Sequence, residues 1–300
     1  MDINQDFPVG NAAGWCKSIE EVRSLSQTTV AFIVVGSITL EERLGNSGNV
    51  FNNDPFRALN ALGLPNPGMN KIEKMCPEMI HTAHSANKSI LLSLAGFSSQ
   101  EYSLLAARAL QMRFDGIELN LGCPNVVENG KRKQTLSFNR SAIRAVLEQS
   151  LYHKKYQDDW FVSVKISPMT DPEQIIKTAE LIAEFDIDAI VTQNTFPNCL
   201  DFDEQGRPVI QTPDKTGWAG GSGTAILHQA LGQVNQWRTA LPKNIAVWGV
   251  GGVQTGQDVQ KMIWAGASAV QVGTTYFISG AKTFGDIASQ YIHLTNTQEE

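Results

Sequence analysis

"GIELNLGCPNVVENG" (residues 116–130) begins as a strand and ends as a loop. Ile117, Leu119 and Leu121 alternate with Glu118 and Asn120, a period of two, and Cys123, Pro124 and Asn125 then turn the chain out of the core. Seven further runs of β-branched or apolar residues read as strands: 7–14, 29–37, 89–96, 161–167, 188–195, 245–252 and 269–277. Segments of helical period alternate with them, at 18–27, 69–87, 99–113, 139–156, 172–185, 225–240, 256–265 and 282–295. In "SSQEYSLLAARALQM" serines cap a helix with Leu104, Leu105, Ala107 and Leu110 largely on one face. "TDPEQIIKTAELIAEF" has Thr170 or Asp171 as N-cap, proline in the first turn, and Ile175, Ile176, Ala179 and Ile182 as its stripe.

Strands each followed by a helix predict an α/β protein, a (β/α)8 TIM barrel in a single domain over residues 1–300, with its active site at the C-terminal ends of the strands. A doubly wound open sheet is the alternative topology. Segments 38–68 and 196–224 are too long for simple connections; they predict long loop insertions at strand C-termini, the second with a hairpin in "CLDFDEQGRPVIQT", acting as lids or substrate walls.

Composition narrows the partners. The net charge of −6, without a run of lysines or arginines, argues against nucleic acid. No apolar run reaches membrane-spanning length, and "MDINQDFPVG" is acidic and polar, unlike a signal peptide. Cys16, Cys76, Cys123 and Cys199 are scattered, with no CxxC pair, so neither a disulfide framework nor a metal site is indicated and a reducing, cytoplasmic location is expected.

Two late strands end in glycine. "VWGVGGVQTGQD" supplies Gly249, Gly251 and Gly252 before a helix, and "VQVGTTYF" supplies Gly273 and Thr274. Glycines there let backbone N–H groups approach an anion, and barrels often hold phosphate after strands 7 and 8. The bland reading is that each glycine merely ends a strand. "GVGGVQTG" lacks the dinucleotide phase, so a mononucleotide such as FMN suits the site better.

Asn11, Asn120, Asn125 and Asn194 fall at or just after strands, and Asn60 lies in the first insertion. Asparagine is poor inside strands and common in turns, but several amides at one end of a barrel can grip a ring edge that alternates C=O and N–H. Lys165 stands in an otherwise apolar strand, where an ammonium group needs a partner such as an anionic cofactor atom. Cys123 follows its strand directly, so its thiol can reach the barrel mouth as a general base. The other three cysteines read as small apolar residues.

The motifs "NAAG", "LGLPN", "ELNLGCPNV", "SVKISP", "TQNT", "GGVQTGQD" and "QVGTT", in this order over roughly residues 8–280, resemble those of dihydroorotate dehydrogenases of the soluble class with a cysteine base. The resemblance implies a barrel that binds FMN and oxidises dihydroorotate to orotate in pyrimidine biosynthesis. By it, Cys123 removes the C5 proton while the C6 hydride passes to the flavin. Asn60, Asn120, Asn125, Asn194 and Thr195 would bind orotate, with the backbone of Leu62, Gly63 and Leu64 against its carboxylate. Lys165 would face flavin N1 and O2, and Asn120 would also lie near the cofactor. Ala12, Ala13, Gly14 and Ser37 would line the isoalloxazine, and Gly223, Gly251, Gly252, Gly273 and Thr274 would hold the phosphate. Residues 126–137 would close over the thiol, and a homodimer is implied.

One position departs from the family pattern. Where the family has a lysine beside the flavin (T-K-S-S-T-L-E), this chain has Gly36, with Ser37 retained; Arg43 is a candidate replacement and Gly36→Lys a candidate restoration. Two alternatives follow: an FMN-dependent paralogue acting on another dihydropyrimidine or enoate, or an enzyme like tRNA-dihydrouridine synthase, which shares an N-x-G-C-P cysteine. The electron acceptor (fumarate, a quinone or a partner subunit) is left open.

Overall fold

The computed structural model describes residue 3 and residues 6–128, 131–157 and 159–297. Eight parallel strands close into a barrel: β1 (Val9–Asn11), β2 (Phe32–Ile38), β3 (Ser89–Leu94), β4 (Gly116–Asn120), β5 (Phe161–Lys165), β6 (Ala189–Val191), β7 (Ala246–Val250) and β8 (Ala269–Val272). Each neighbours the next in sequence, and β1 closes the ring by pairing with both β8 and β2, which excludes the open sheet. The helices are α1 (Ile19–Ser26), α2 (Met69–Ser85), α3 (Ser99–Met112), α4 (Arg140–Leu151), α5 (Pro172–Ile182), α6 (Leu227–Ala240), α7 (Gly256–Ala265), α8 (Thr274–Ser279) and α9 (Thr283–Asn296). No helix among the described residues is long and apolar enough to cross a membrane.

Several boundaries differ from expectation. The run 269–277 stops being a strand at Val272, and α8 follows; the run 7–14 shortens to three paired residues. The predicted helix over 139–156 ends at Leu151 and resumes as a 3-10 turn, Lys154–Tyr156. In α3 the buried face is Tyr102, Leu105, Ala106 and Ala109, while Leu104 is 47% exposed. The face is set by Tyr102, whose hydroxyl donates to the Asn120 carbonyl at 2.6 Å, so a large ring is buried with its polar atom satisfied. In α5, capped by Asp171, the stripe includes Thr178 and Leu181, and Ile176 faces solvent.

The period of two now has a meaning along the barrel axis. Outward-pointing residues such as Ile117 and Leu119 join the main apolar layer between strands and helices. Inward-pointing ones change character with height. Near the N-terminal end, Phe32, Leu91, Phe161 and Trp248 fill the barrel with hydrocarbon, Trp248 lying 4.7 Å from Phe32 and 5.1 Å from Phe161. Above them the interior turns polar with Ser93, Glu118, Lys165 and Gln271. The polar interruptions of the strands are therefore a layer of their own.

The two insertions build one structure. Phe51–Asn53 and Ala58–Asn60 from the first pair with Ala219–Ser222 and Phe196–Cys199 from the second in a four-stranded antiparallel sheet, Gly221 opposite Leu59. Its small core is Leu59, Ala61, Ile210 and Ala219. The expected hairpin is present, Phe202 bridging to Pro208. After Cys123 a second small hairpin pairs Val127 with Arg132; Asn129 and Gly130, part of the loop expected to close over the thiol, lie outside the described residues.

Candidate active site

Two adjoining cavities occupy the C-terminal mouth. The first, with about 690 Å³ of space open to the mouth, runs from Ala12 and Ala13 past Lys165 to Gly223, Gly251, Gly252, Gly273 and Thr274. The second, of about 580 Å³, is lined by Gly14, Ser37, the segment Leu62, Gly63 and Leu64, and by Asn120, Cys123 and Asn125. Asn60, Asn194 and Thr195 line both. Every residue that the resemblance assigned to the site is thus brought to this mouth. Asn11 is not: its amide bonds both Val34 N and Val34 O, at 2.9 and 2.8 Å, and so ties β1 to β2. Asn66 likewise knits the first insertion through Thr39, Leu64 and Gly68.

The amides of the second cavity are held by one another. Asn125 donates to Asn60 Oδ1 at 3.0 Å, Asn194 to Asn120 Oδ1 at 3.1 Å, and Asn120 to Ser37 Oγ at 2.8 Å. Arg132 steadies the segment beyond Cys123 by donating to Pro124 O at 3.1 Å while it also reaches Trp218 O and Asp214 of the second insertion. Cys123 is a free, partly accessible thiol. Burial pushes its pKa up; the Asn125 N–H and the cations Arg43, Lys17 and Arg132 pull it down without cancelling that rise. Of the two regimes open to a cysteine base, somewhat alkaline pH or neutral pH with a lowered pKa, this direction favours the first. Cys16 and Cys76 are buried among apolar side chains as expected, and Cys199 sits half-buried at the edge of the insertion sheet.

Lys165 is 4% exposed, and burial lowers its pKa, opposed by Glu118. Its Nζ donates to Gln271 Oε1 at 2.9 Å and lies 4.0 Å from Glu118 Oε1; Gln271 and Ser93 in turn donate to Glu118 at 2.8 and 2.9 Å. The lysine therefore has a carboxylate partner within the barrel, where the sequence reading looked for one only in a cofactor. That partner is the Glu118 that breaks the apolar pattern of β4.

Gly36 is explained by packing. Its φ is +115°, and a Cβ there would lie 2.5 Å from the Ser93 carbonyl oxygen. Its N–H donates to Cys16 O at 2.8 Å and its carbonyl accepts from Gly14 N–H at 2.5 Å, so the turn after β1 folds back against the end of β2. This carries Lys17 into the second cavity beside Cys123, its Nζ donating to Pro65 O at 2.5 Å. Burial lowers the pKa of Lys17, while Glu21, Cys123 and Cys16 raise it. Arg43, the candidate replacement cation, lies over the Phe97 ring at 4.8 Å and donates through Nε to Gly63 O, in the wall of the second cavity, at 3.3 Å. The same geometry argues against Gly36→Lys as a simple restoration of the site. That variant is expected to lose about 1–3 kcal/mol or more through strain and the Ser93 clash, read as a lower melting temperature with no gain in turnover.

Lys17, Gln193, Gln271, Ser222 and the aromatic pair Trp15 and Phe51 also line the cavities, and the sequence reading did not single them out as site residues. Gln193 stands just beyond the end of β6, the same signal that marked the asparagines, whereas Lys17 lies in the turn before α1 and carries no such signal. Phe51 belongs to an insertion and carries no such signal.

With this geometry in view, a family model described as dihydroorotate dehydrogenase matches residues 2–294. The probable dihydroorotate dehydrogenase A (fumarate) of Streptococcus pneumoniae serotype 4 is 30% identical over 282 residues, covering 93% of this chain and 86% of the relative. The dihydroorotate dehydrogenase (fumarate) of Saccharomyces mikatae is 28% identical, covering 97% and 90%. The crystal structure of DHODH from Eimeria tenella in complex with ferulenol superposes with a TM-score of 0.80 at 21% identity, covering 97% of this chain and 82% of that one, a likeness of fold.

Proposed function

The chain belongs to the dihydroorotate dehydrogenase family, and we propose that it oxidises dihydroorotate to orotate with FMN as cofactor and Cys123 as base. One observation carries this reading: a thiol and a set of paired amides open into one cavity, and it adjoins a second that is lined by a buried ammonium group and by glycines. The residues suit the cofactor. Gln193 Oε1 and Nε2 and Thr195 Oγ1 are buried without a hydrogen-bond partner among the described residues, and the cavity they line is where a polar ligand would satisfy them. Gly223, Gly251, Gly252, Gly273 and Thr274 would hold its phosphate, Lys165 the N1 and O2 edge, and Ala12, Ala13, Gly14 and Ser37 the ring.

When bound, the flavin supplies an acceptor for the hydride from substrate C6. The chain's own groups do the rest. Asn60, Asn120, Asn125 and Asn194, with Thr195, would bond the alternating C=O and N–H edges of the pyrimidine. The backbone of Leu62, Gly63 and Leu64 would lie along the substrate carboxylate, with Lys17 as its counter-charge. Cys123 Sγ takes the C5 proton, and the segment after it, held by Arg132, helps to keep water from the site. The same reading has the enzyme working in the cytoplasm as a homodimer; Leu44, Phe56, Phe202 and Trp218, large apolar side chains exposed on the insertions, support self-association.

Anaerobic addition of dihydroorotate to the flavin-loaded protein tests the reaction. Bleaching of the flavin absorbance is expected, and an unchanged spectrum would overturn the substrate assignment. Lys17→Met is expected to raise KM about 10- to 100-fold, the worth of one hydrogen bond to a charged group, with flavin affinity unchanged. Steady-state kinetics with dihydroorotate and a flavin titration check both halves.

A further inference from the structure

We propose that Glu118 is a positioning residue that fixes which hydrogen-bonding groups the substrate cavity offers; the inference rests on the dihydroorotate reading of that cavity and deepens it. Two arms of hydrogen bonds meet at its buried carboxylate. On one, Lys165 Nζ donates to Gln271 Oε1 at 2.9 Å and Gln271 Nε2 donates to Glu118 Oε2 at 2.8 Å. The other begins in the substrate cavity, where Asn194 donates to Asn120 Oδ1 at 3.1 Å and Asn120 Nδ2 to Ser37 Oγ at 2.8 Å. The Ser37 and Ser93 hydroxyls are 2.8 Å apart, and Ser93 Oγ lies 2.9 Å from Glu118 Oε1. Ser93 and Gln271 are as buried as Glu118, so each depends on its neighbours in the arm.

A carboxylate only accepts, and this sets the direction of both arms. Ser93 gives its one proton to Glu118, so its oxygen accepts from Ser37, and Ser37 shows Asn120 a lone pair. Asn120 needs that lone pair, because its Oδ1 already accepts from the Gly122 N–H at 3.2 Å and from Asn194. Asn120 and Asn194 each keep a second N–H without a partner among the described residues, and both line the second cavity. The arm therefore offers N–H donors to the ring carbonyls of the substrate. An amide at 118 breaks this order on one arm only. Lys165 donates in any arrangement, so Gln271 keeps its oxygen toward Lys165 and its nitrogen toward 118. A glutamine at 118 then turns its oxygen to Gln271 and its NH2 to Ser93. Among the described residues Ser93 Oγ bonds only Ser37 and Glu118, so its proton swings to Ser37. Ser37 now points a proton at the Asn120 NH2, and relief means turning Asn120 away from Gly122 and Asn194.

A double-variant cycle on the full-length chain tests this, with orotate titrated into the flavin-loaded protein and FMN into the protein freed of flavin. Glu118→Gln is expected to weaken orotate binding about 10- to 100-fold, the loss of one or two hydrogen bonds with buried groups left unpaired, while FMN affinity stays within about threefold. Ser93→Ala removes the hydroxyl that passes the direction on, and by itself is expected to cost orotate about 3- to 10-fold. Adding Glu118→Gln to Ser93→Ala is expected to cost no more than about twofold further, because the arm is already cut. Unchanged orotate affinity in Glu118→Gln, equal losses for orotate and FMN, or a glutamine effect as large beside Ser93→Ala as without it would overturn the proposal. A general disturbance of the barrel moves both ligands alike. Should circular dichroism show that Glu118→Gln misfolds, Ser93→Ala decides: weaker orotate with FMN unchanged supports the proposal, and unchanged orotate overturns it. Wild-type protein that holds FMN but does not bind orotate would overturn the dihydroorotate reading, and the inference with it.

Discussion

Cys123→Ala is expected to slow substrate-driven flavin reduction by about 10²- to 10⁴-fold, the range that a positioned general base supplies. Flavin affinity is expected to stay the same, because the thiol lines the substrate cavity and not the glycine-lined one. The pH profile gives a second check whose sign follows from burial. The thiol pKa is raised above the usual cysteine range, and the reactive form is the thiolate. Below that pKa the thiolate fraction, and with it the reduction rate, is expected to climb about tenfold per pH unit. Cys123→Ser, with a still weaker acid, is expected to retain activity only at more alkaline pH. Stopped-flow reduction between pH 7 and 9 measures all three proteins; a flat wild-type profile, or an alanine variant within a few fold of wild type, would remove the base assignment.

Lys165→Met is expected to damage both stability and cofactor binding. Glu118 is 0% exposed and Lys165 4%, so removing the ammonium leaves a carboxylate in the barrel with only the neutral donors Ser93 and Gln271. Breaking one side of a buried ion pair costs about 3–5 kcal/mol, roughly 5–8 °C in melting temperature for a chain of this size. The double variant Lys165→Met/Glu118→Gln removes both charges and is expected to recover most of that stability. It is not expected to recover flavin affinity, because the cation facing the cofactor cavity is still missing. Calorimetry and a flavin titration on the four proteins of this cycle separate the two roles. Equal melting of the single and double variants would show that Glu118 does not depend on Lys165.

Much of the site was legible before the fold. Cys123, Asn120, Asn125, Asn194 and the late glycines all stand at or just after strand ends, and in a barrel every strand end faces one mouth. The helix faces were read less well. α3 carries leucine and alanine around much of its circumference, so periodicity alone does not choose between Leu104 and Tyr102; the bond from Tyr102 to Asn120 O does. Lys17 was missed because a lysine beside a helix start reads as a solvated charge. Only the Cys16–Gly36 pairing shows that its turn folds inward.

The amino-acid sequence by itself determined the barrel and the order of thiol, amides and glycines around one end of it. These features rest on periods of two and 3.6 and on glycine, proline and asparagine at particular steps, all read from near neighbours in the chain. Tertiary structure alone decided that Glu118 partners Lys165, that Lys17 joins Arg43 and Arg132 as a cation near the thiol, that Gln193 is buried with an amide unpaired among the described residues, and that two separate insertions make one sheet. Each of these joins segments far apart in the chain, and their meeting depends on strand register and on backbone bonds between loops, which no local pattern encodes.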